Sequence, residues 1–426
     1  TVGWNGKGSR GVAPKASLQV ANLLSSTVTQ TNAKIYDQAS GDFDVLNMSW
    51  GTDQNNLSDP DTTYEGFLKT AVTDNRGGKG AILVKAAGND FSVGCHNNTS
   101  VACVGNANFD GDNKNPYTIV VSALNATGYS ASYSSGGSNV WISGFGGQYG
   151  DTSPAMFTTD RTGCSAGWSQ SSTSTTISFQ KGGGQNSQCN YTVTFNGTSS
   201  AAPTVSGAVA LILEANPQLT WRDVKYILAR TAVPMDYVTT GGISHPKGVS
   251  LPSGYVWEMP WIVNGAGFKF QNWYGFGKVD VDAAVKMAQK YTSNLGSYNE
   301  ESWGKHTLSG LSIGIPDNSA TGGQSSMVVA SADNLKIESV RLKISVTHPN
   351  ISELALELTS PSGTKSILVN ARNSLVGISD YDNDIFLSNA FYQEKSAGTW
   401  KLRVVDALGG NTGTITSWSL NFTGGK

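Results

Sequence analysis

Apolar and polar positions change their spacing once along the 426-residue chain, near residue 295. Before that point, short apolar runs alternate with longer segments of helical periodicity. The apolar runs predict buried strands at 45–49, 81–86 and 118–123. The longer segments predict helices at 63–74, 201–213 and 220–229. Strands that alternate with helices in this way predict an α/β unit built on a parallel sheet.

After residue 295, apolar and polar residues alternate one by one, as in half-buried strands. Strands are predicted at 340–346, 354–358, 365–369, 400–405 and 418–422. Half-buried strands at this spacing predict an all-β sandwich. We therefore predict two domains, at 1–294 and 295–426.

Composition narrows the class of protein. The net charge is −2 and only 14% of residues are charged, so no nucleic-acid partner is expected. No apolar run reaches 18 residues, so we expect no membrane-spanning helix. The 50 glycines and the four cysteines are typical of a secreted protein, with Cys95 near Cys103 and Cys164 near Cys189. Both couples predict disulfides that close surface loops.

The segment Gly197-Thr198-Ser199-Ser200-Ala201-Ala202-Pro203 directly precedes an apolar helix. A serine at a helix N-terminus lies beside unpaired backbone N–H groups that favour negative charge. Such a serine could act as a nucleophile whose oxyanion those groups bind. The alternative, an ordinary small-residue helix cap, stays open on this segment alone. A serine nucleophile also needs a base, and no local sequence around His96, His245, His306 or His348 indicates one.

Three segments in order resemble the subtilisin-like serine proteases: Asn47-Met48-Ser49-Trp50-Gly51, Ala86-Ala87-Gly88-Asn89 and the Gly197–Pro203 segment. Three features resemble the kexin/furin branch of that family: Ser-Trp-Gly at 49–51, the stretch 219–224 and the β-rich tail. The tail resembles that branch's P domain at 358–364 and at Gly398-Thr399-Trp400. The resemblance implies a subtilisin-like parallel sheet with flanking helices, incomplete at its N-terminus. A jelly-roll-like sandwich, the P domain, would follow it.

The resemblance also implies roles for individual residues. Ser199 would be the nucleophile, and Asn89 would donate its side-chain amide to the oxyanion beside the Ser199 N–H. Ser49, Trp50 and Gly51 would pair with the extended substrate backbone as an added strand. The alternatives are a turn residue at Asn89 and an ordinary strand end at 49–51.

Specificity for basic residues before the cleaved bond is implied by Asp110, which aligns with a pocket carboxylate of the family. Two departures weaken this expectation. Gln54, beside Asp53, and Ser135 stand where the family has acidic residues, which puts the calcium site beneath its pocket in doubt. Asp59 and Asp61 could serve outer subsites, although acidic loop residues are more often simply solvated.

A structural calcium ion is implied at the opening loop, which resembles a calcium loop of the family. Val2, Asn5, Lys7 and Ser9 would contribute ligands, mainly backbone carbonyls, as a hard cation requires. The alternative is a glycine-rich turn. The acidic run 380–384 is a second, weaker candidate.

The catalytic His and Asp of the family would lie before Thr1, outside this chain. We therefore expect negligible peptidase activity from the chain alone, because loss of a triad base costs on the order of 10⁶ in turnover. The expected partners are polypeptide substrates, an N-terminal fragment that supplies Asp and His, and a propeptide or chaperone. The competing hypotheses are a pseudoprotease that acts as a binding module and a structural or adhesive secreted protein.

Overall fold

The computed structural model describes the whole chain except residues 1, 2, 4, 5, 26, 28, 30, 96, 97, 152, 173, 174 and 236–250. For 93–95 and 98–102 it describes the backbone alone. Two units follow one another along the chain, an α/β unit and a β-sandwich, as the hydrophobic pattern predicts.

A four-stranded parallel sheet lies at the centre of the first unit. Its order is β1-β2-β5-β6, with β1 at Val45–Met48, β2 at Ile82–Ala86, β5 at Thr118–Leu124 and β6 at Ile142–Phe145. Strands β2 and β5 are buried along their whole length, as near-continuous apolar runs predict for a parallel sheet. The three strands predicted in this unit are thereby confirmed within one residue at each end.

Within the described residues, five α-helices accompany this sheet: α1 at Asn32–Ser40, α2 at Thr62–Gly78, α3 at Thr198–Ala215, α4 at Trp221–Thr231 and α5 at Val281–Ala288. Helix α3 packs across all four strands and buries Val205, Val209 and Ile212 completely. Helix α4 begins with a capping box, in which the Thr220 hydroxyl and the Asp223 carboxylate satisfy each other's backbone N–H groups. Residues 75–77 depart from helical backbone angles, so the last turn of α2 is set off by a kink.

Short elements connect these. Antiparallel hairpins pair β3 with β4, β7 with β8 and β9 with β10. The bounds of β3, β4, β7, β8, β9 and β10, in that order, are Val93–Cys95, Asn98–Cys103, Met156–Thr159, Tyr191–Phe195, Ile262–Val263 and Lys269–Phe270. Single 3₁₀ turns lie at Ala107–Phe109, Gly111–Lys114, Ser178–Lys181, Gly184–Asn186, Ser331–Asp333 and Ile351–Glu353.

The second unit is a sandwich of two antiparallel sheets. One has the order β11-β20-β15-β18, with β12 and β13 also paired to β20, and the other has the order β14-β19-β16-β17. Trp400 and Trp418 are buried in the core between them. In chain order, strands β11 to β20 lie at Tyr298–Glu300, His306–Leu308, Ile313–Ile315, Gly323–Val329, Lys336–Thr347, Leu354–Thr359, Lys365–Val369, Tyr381–Ser388, Gly398–Asp406 and Gly413–Gly425. The predicted division at 294/295 stays a prediction.

The two units share a buried junction. The segment 251–272 places Tyr255 and Trp257 in one apolar cluster with Ala355 and Val405 of the sandwich. The Trp257 indole donates a 2.7 Å hydrogen bond to the Ala371 carbonyl. The sandwich therefore packs on the α/β unit through apolar surface as well as polar contacts.

The cysteine predictions are met where the structure describes them. Cys164 and Cys189 form a disulfide, which closes a surface loop between β7 and β8. Cys103 is disulfide-bonded as well, while the side chain of Cys95 lies outside the described residues. Among the described helices, none is both long enough and apolar enough to cross a membrane.

Candidate active site

The carboxyl ends of β1 and β2 bring two of the predicted segments side by side. Residues 49–51 directly follow β1, and 87–89 directly follow β2, its parallel neighbour. Helix α3 begins beside both, with Thr198 and Ser199 in its first turn. Crevices at this edge of a parallel sheet are the usual place for ligands. The structure thus joins three segments that lie up to 150 residues apart in sequence.

Ser199 is half-buried at the second position of α3. Its hydroxyl donates to the Ser49 carbonyl at 3.4 Å, and the Ser49 hydroxyl donates to the Ser199 carbonyl at 3.0 Å. Backbone N–H groups in the first turn of a helix have no partner within it. The Ser199 N–H is one of these, so it can donate to a negatively charged oxygen beside the hydroxyl.

Asn89 is held against the start of α3 by its carbonyl oxygen. Oδ1 accepts from the Thr198 N–H at 2.8 Å and from the Thr198 hydroxyl at 3.0 Å. This pair of bonds orients the carboxamide, so its Nδ2 group is the part left to donate elsewhere. The Thr198 hydroxyl also accepts from the Gly88 N–H at 3.1 Å. Thr198 therefore fixes Asn89 beside Ser199.

Gly197 caps α3 in a conformation that a side chain would not tolerate. Its φ is 100°, and a Cβ there would lie 3.4 Å from Asn89 Nδ2 and 3.5 Å from Ser199 N. Its N–H donates to the Tyr133 hydroxyl at 2.8 Å. Burial raises the pKa of Tyr133 to about 12, so this hydroxyl stays protonated and bonds the Gly147 carbonyl. Sequence reasoning missed Tyr133, because nothing around it in sequence marks it.

The segment 49–51 presents alternate backbone groups to the cleft. The Trp50 carbonyl points into the protein and accepts from Lys85 Nζ at 2.8 Å. Successive carbonyls of an extended segment point to opposite edges, so the Ser49 and Gly51 groups face the other way. Gly51 is exposed. This edge can accept an extended peptide as an added strand.

Asp110 lies under that segment, but it already has a partner. The Asp110 carboxylate is 1% exposed, and its Oδ2 is 3.0 Å from Nζ of Lys85, which is 0% exposed. A Cβ on Gly51 would lie only 2.7 Å from Asp110 Oδ2. Sequence reasoning missed Lys85, although a lysine within the apolar run 81–86 is itself a signal of a buried ion pair.

Neutral side chains fill the two positions where the family has acidic residues. The buried Gln54 donates from Nε2 to the Ala87 carbonyl at 2.8 Å. Ser135, also buried, accepts from the Asp90 N–H at 3.0 Å. Burial is the largest influence on Asp90 and raises the pKa of its carboxyl. These contacts link the segments around the pocket without a carboxylate at 54 or 135.

The predicted calcium loop is described only in part. Val2 and Asn5 lie outside the described residues. Lys7 is exposed, and the buried hydroxyl of Ser9 has no hydrogen-bond partner within the described residues. An unpartnered buried oxygen is compatible with a hard cation. The fit of the loop to calcium therefore rests on one side chain.

Three buried ligand-type side chains lie together in the sandwich. Among the described residues, His348, Glu353 and Asp406 are the one group of three whose ligand atoms all lie within 4.8 Å of one another. His348 Nε2 is 3.3 Å from Asp406 Oδ2. Burial lowers the pKa of His348, but the hydrogen bond and charge of Asp406 outweigh burial and raise it. The Asp406 carboxylate thus gives the His348 ring a hydrogen-bond partner that does not require a metal.

The acidic run 380–384 makes contacts of another kind. An Asp380 oxygen accepts from the His348 N–H at 2.7 Å, and Asp384 accepts from the Asp382 N–H at 2.8 Å. These carboxylates therefore bind backbone groups of the sandwich.

The histidines in the described part of the chain are remote from Ser199 in their contacts. His306 pairs with Glu301 at 3.0 Å, and His348 pairs with Asp406. His96 and His245 lie outside the described residues.

Comparison with known families agrees with this geometry. The model of the subtilase family (Peptidase_S8) matches residues 1–277, and the proprotein convertase P-domain model matches residues 337–422. The chain belongs to the subtilase family. The resemblance noted at 47–51, 86–89 and 197–203 is thereby confirmed.

This subtilase has relatives among bacterial and eukaryotic proteases. It is 35% identical to the "Aeromonas extracellular serine protease" of Aeromonas sobria, over 95% of this chain and 69% of that protein. It is 30% identical to the "Microbial serine proteinase" of Aeromonas salmonicida, over 94% of this chain and 68% of that protein. Kexin of Saccharomyces cerevisiae is 26% identical, over 97% of this chain and 44% of kexin.

Two solved structures are similar over the subtilase and P-domain units together. The crystal structure of the A. sobria serine protease has a TM-score of 0.83 and 31% identity, over 98% of this chain and 78% of that one. The complex of that protease with the chaperone ORF2 gives a TM-score of 0.85 at 30% identity, with the same coverage. The expected subtilisin-like fold with a P domain is confirmed.

Proposed function

We propose that this subtilase is a serine endopeptidase in which Ser199 is the nucleophile and Asn89 a donor of the oxyanion hole. The observation that carries the proposal is the arrangement at the start of α3. The Ser199 hydroxyl, its unpaired N–H and the oriented Asn89 carboxamide lie together beside an open backbone edge. Such a constellation provides what acyl transfer from a peptide bond requires.

The chemistry follows from these positions. A peptide pairs with the Ser49 and Gly51 backbone, which places its scissile carbonyl against the Ser199 hydroxyl. The Ser199 oxygen attacks that carbonyl as its proton passes to a base, and the Ser199 N–H and Asn89 Nδ2 donate to the oxyanion. The amine leaves with a proton, and water then hydrolyses the acyl-enzyme by the same steps.

The base is the part for which the described residues offer no candidate. We propose that the His and Asp of the triad come from polypeptide N-terminal to Thr1 or from a companion fragment. The contrary hypothesis is a pseudoprotease in which the same cleft only binds peptides. The oriented Asn89 favours catalysis, because peptide binding to a strand edge does not need an oxyanion donor.

Basic residues are the proposed substrate preference. Asp53, Asp59 and Asp61 are exposed on the segment that follows Gly51, and Asp59 pairs with Lys114 at 3.7 Å. Asp53 and Asp61 are therefore the main groups that would attract cationic side chains along the groove. Asp110 would add to this only as far as Lys85 leaves it free.

Localisation, partner and metal are proposed from the relatives and the opening loop. One relative is named as extracellular, and a related protease crystallised with a chaperone. We propose that this subtilase is secreted and that a chaperone or propeptide assists its folding. Ca²⁺ at the opening loop, held by Val2, Asn5, Lys7 and Ser9, would brace that loop and takes no part in the chemistry.

Substitution of the nucleophile tests the proposal. In protein expressed from the complete coding sequence, Ser199→Ala is expected to lower turnover of a peptide substrate by on the order of 10⁶. The matched control is Ser253→Ala, an exposed serine outside the cleft segments. Residual turnover within tenfold of wild type in Ser199→Ala, with folding intact, would show that Ser199 is not the nucleophile.

A further inference from the structure

A buried ion pair lies directly beneath the proposed substrate edge. Lys85 and Asp110 are both almost inaccessible, and Nζ to Oδ2 is 3.0 Å. A Cβ on Gly51 would lie 2.7 Å from the carboxylate and 3.5 Å from the ammonium. The backbone of Gly51, which is exposed, therefore lies directly against the pair.

Every oxygen of Asp110 already accepts a hydrogen bond. Oδ1 accepts from the Asp112 N–H at 3.0 Å. Oδ2 accepts from Lys85 Nζ at 3.0 Å and from the Thr52 N–H at 3.4 Å. A substrate guanidinium or ammonium that approaches Oδ2 would compete with Lys85 for this carboxylate. Lys85 is itself held in place by the Trp50 carbonyl at 2.8 Å.

The charge of the pair is balanced, in contrast to its surroundings. At short range, a basic side chain of the substrate would face a neutral ion pair. A neutral pair attracts a cation less strongly than a free carboxylate does. Other acidic groups surround the pair: Asp112 is half-buried and interacts electrostatically with both Lys85 and Asp110, and Asp53, Asp59 and Asp61 are exposed on the loop that follows Gly51. Any preference for basic residues therefore has its source in these groups more than in Asp110.

We propose that Lys85 determines specificity for the residue before the cleaved bond. By neutralising Asp110, Lys85 lets the primary pocket accept uncharged side chains and weakens its discrimination in favour of Lys and Arg. This inference rests on the proposed endopeptidase function. It assigns Lys85 a role that the cleft chemistry of Ser199 and Asn89 does not require.

A charge cycle at the two positions tests it. Protein expressed from the complete coding sequence is assayed on two peptides that differ only in Arg or Leu before the cleaved bond, and the ratio of their kcat/KM is measured. Lys85→Met frees the carboxylate and is expected to raise the Arg/Leu ratio by about tenfold or more. Asp110→Asn is expected to lower it. The double variant, neutral like the wild type, is expected to restore the wild-type ratio.

Stability and labelling controls make each outcome decisive. Lys85→Met leaves a buried, unpaired carboxylate, so folding of each variant is followed by its melting temperature. If Lys85→Met does not fold, the double variant is compared with wild type, and a wild-type Arg/Leu ratio below about 10 supports the inference. A ratio above that value, or folded single variants whose ratios stay within twofold of wild type, overturns it.

A fluorophosphonate that labels serine nucleophiles separates the two proposals. Absence of label on wild-type protein contradicts the endopeptidase function itself. Label on Ser199, together with a ratio that ignores Lys85, contradicts only the specificity role.

Discussion

A buried ion pair lies under the cleft and another lies at the domain junction, and the two pairs connect different parts of the molecule. At the junction, Arg222 of α4 pairs with Glu338 of the sandwich. Its guanidinium also donates to the Leu295 and Gly296 carbonyls, at 3.0 and 2.8 Å. That pair joins two domains and the segment between them, whereas the Lys85–Asp110 pair joins one strand to the floor of a groove.

The two ion pairs differ in the groups that surround them. Arginine presents a rigid fork of donors, and protein groups from both domains satisfy it, so the junction pair is enclosed. Lysine is a point charge, and Lys85 lies beneath the exposed Gly51, at the edge proposed to bind substrate. We therefore expect loss of either pair to lower the free energy of unfolding, and loss of the cleft pair to change substrate specificity as well.

The largest expected effect comes from opening the junction pair. Arg222→Met leaves Glu338 buried without its partner, which should lower the free energy of unfolding by about 3–5 kcal/mol. The measurement is denaturant unfolding of the variant beside wild type. Arg222→Met with Glu338→Leu removes both charges and should recover most of the loss. A single variant as stable as wild type would contradict a structural role for the pair.

A smaller effect, mainly on the activation free energy of the reaction, is expected for a variant in the cleft. Asn89→Ala should lower kcat by about 10²–10³ with little change in KM, because the amide acts on the oxyanion and not on the bound substrate. The melting temperature should also fall modestly, because Asn89→Ala removes the acceptor of the Thr198 N–H and hydroxyl at the start of α3. Steady-state kinetics check this. A rise in KM at constant kcat would instead assign Asn89 to substrate binding.

The third expected effect, on stability alone, is a pH dependence at the junction. Burial raises the pKa of Glu258 to about 7, although Asn370, Asn272 and the Met259 N–H donate to its carboxyl. A carboxyl with a raised pKa stabilises the fold at low pH, and this contribution is lost as pH rises through about 7. Glu258→Gln should therefore gain about 3 kcal/mol relative to wild type between pH 4.5 and 8.

Unfolding of both proteins across that range measures the gain. A difference between wild type and Glu258→Gln that does not change with pH would show that Glu258 does not titrate there.

Much of the fold was predictable because its signals are local. The apolar runs at 81–86 and 118–123 define strands, and Thr220 with Asp223 defines a helix start, from neighbouring residues alone. The junction was not predictable in this way. The segment 251–272 has an irregular sequence typical of a surface loop, yet it buries Tyr255 and Trp257 against the sandwich. Burial there depends on a partner surface a hundred residues away.

The same limit applies to the cleft. Ser199, Asn89 and Ser49 carry recognisable motifs, and the structure brings them into contact. Lys85 and Tyr133 carry none, since their roles arise only when β2 meets Asp110 and when Gly197 meets a buried hydroxyl. The sequence could indicate a carboxylate at 110, but only the packing of β2 shows that a lysine neutralises it.

The most direct test of the account is covalent labelling of the nucleophile. Protein expressed from the complete coding sequence is treated with a fluorophosphonate, digested and analysed by mass spectrometry, with Ser199→Ala as control. We predict one modified peptide, with the label on Ser199, and no label in the control. An unlabelled Ser199 in folded protein that hydrolyses peptides, or label on another serine, would contradict the account.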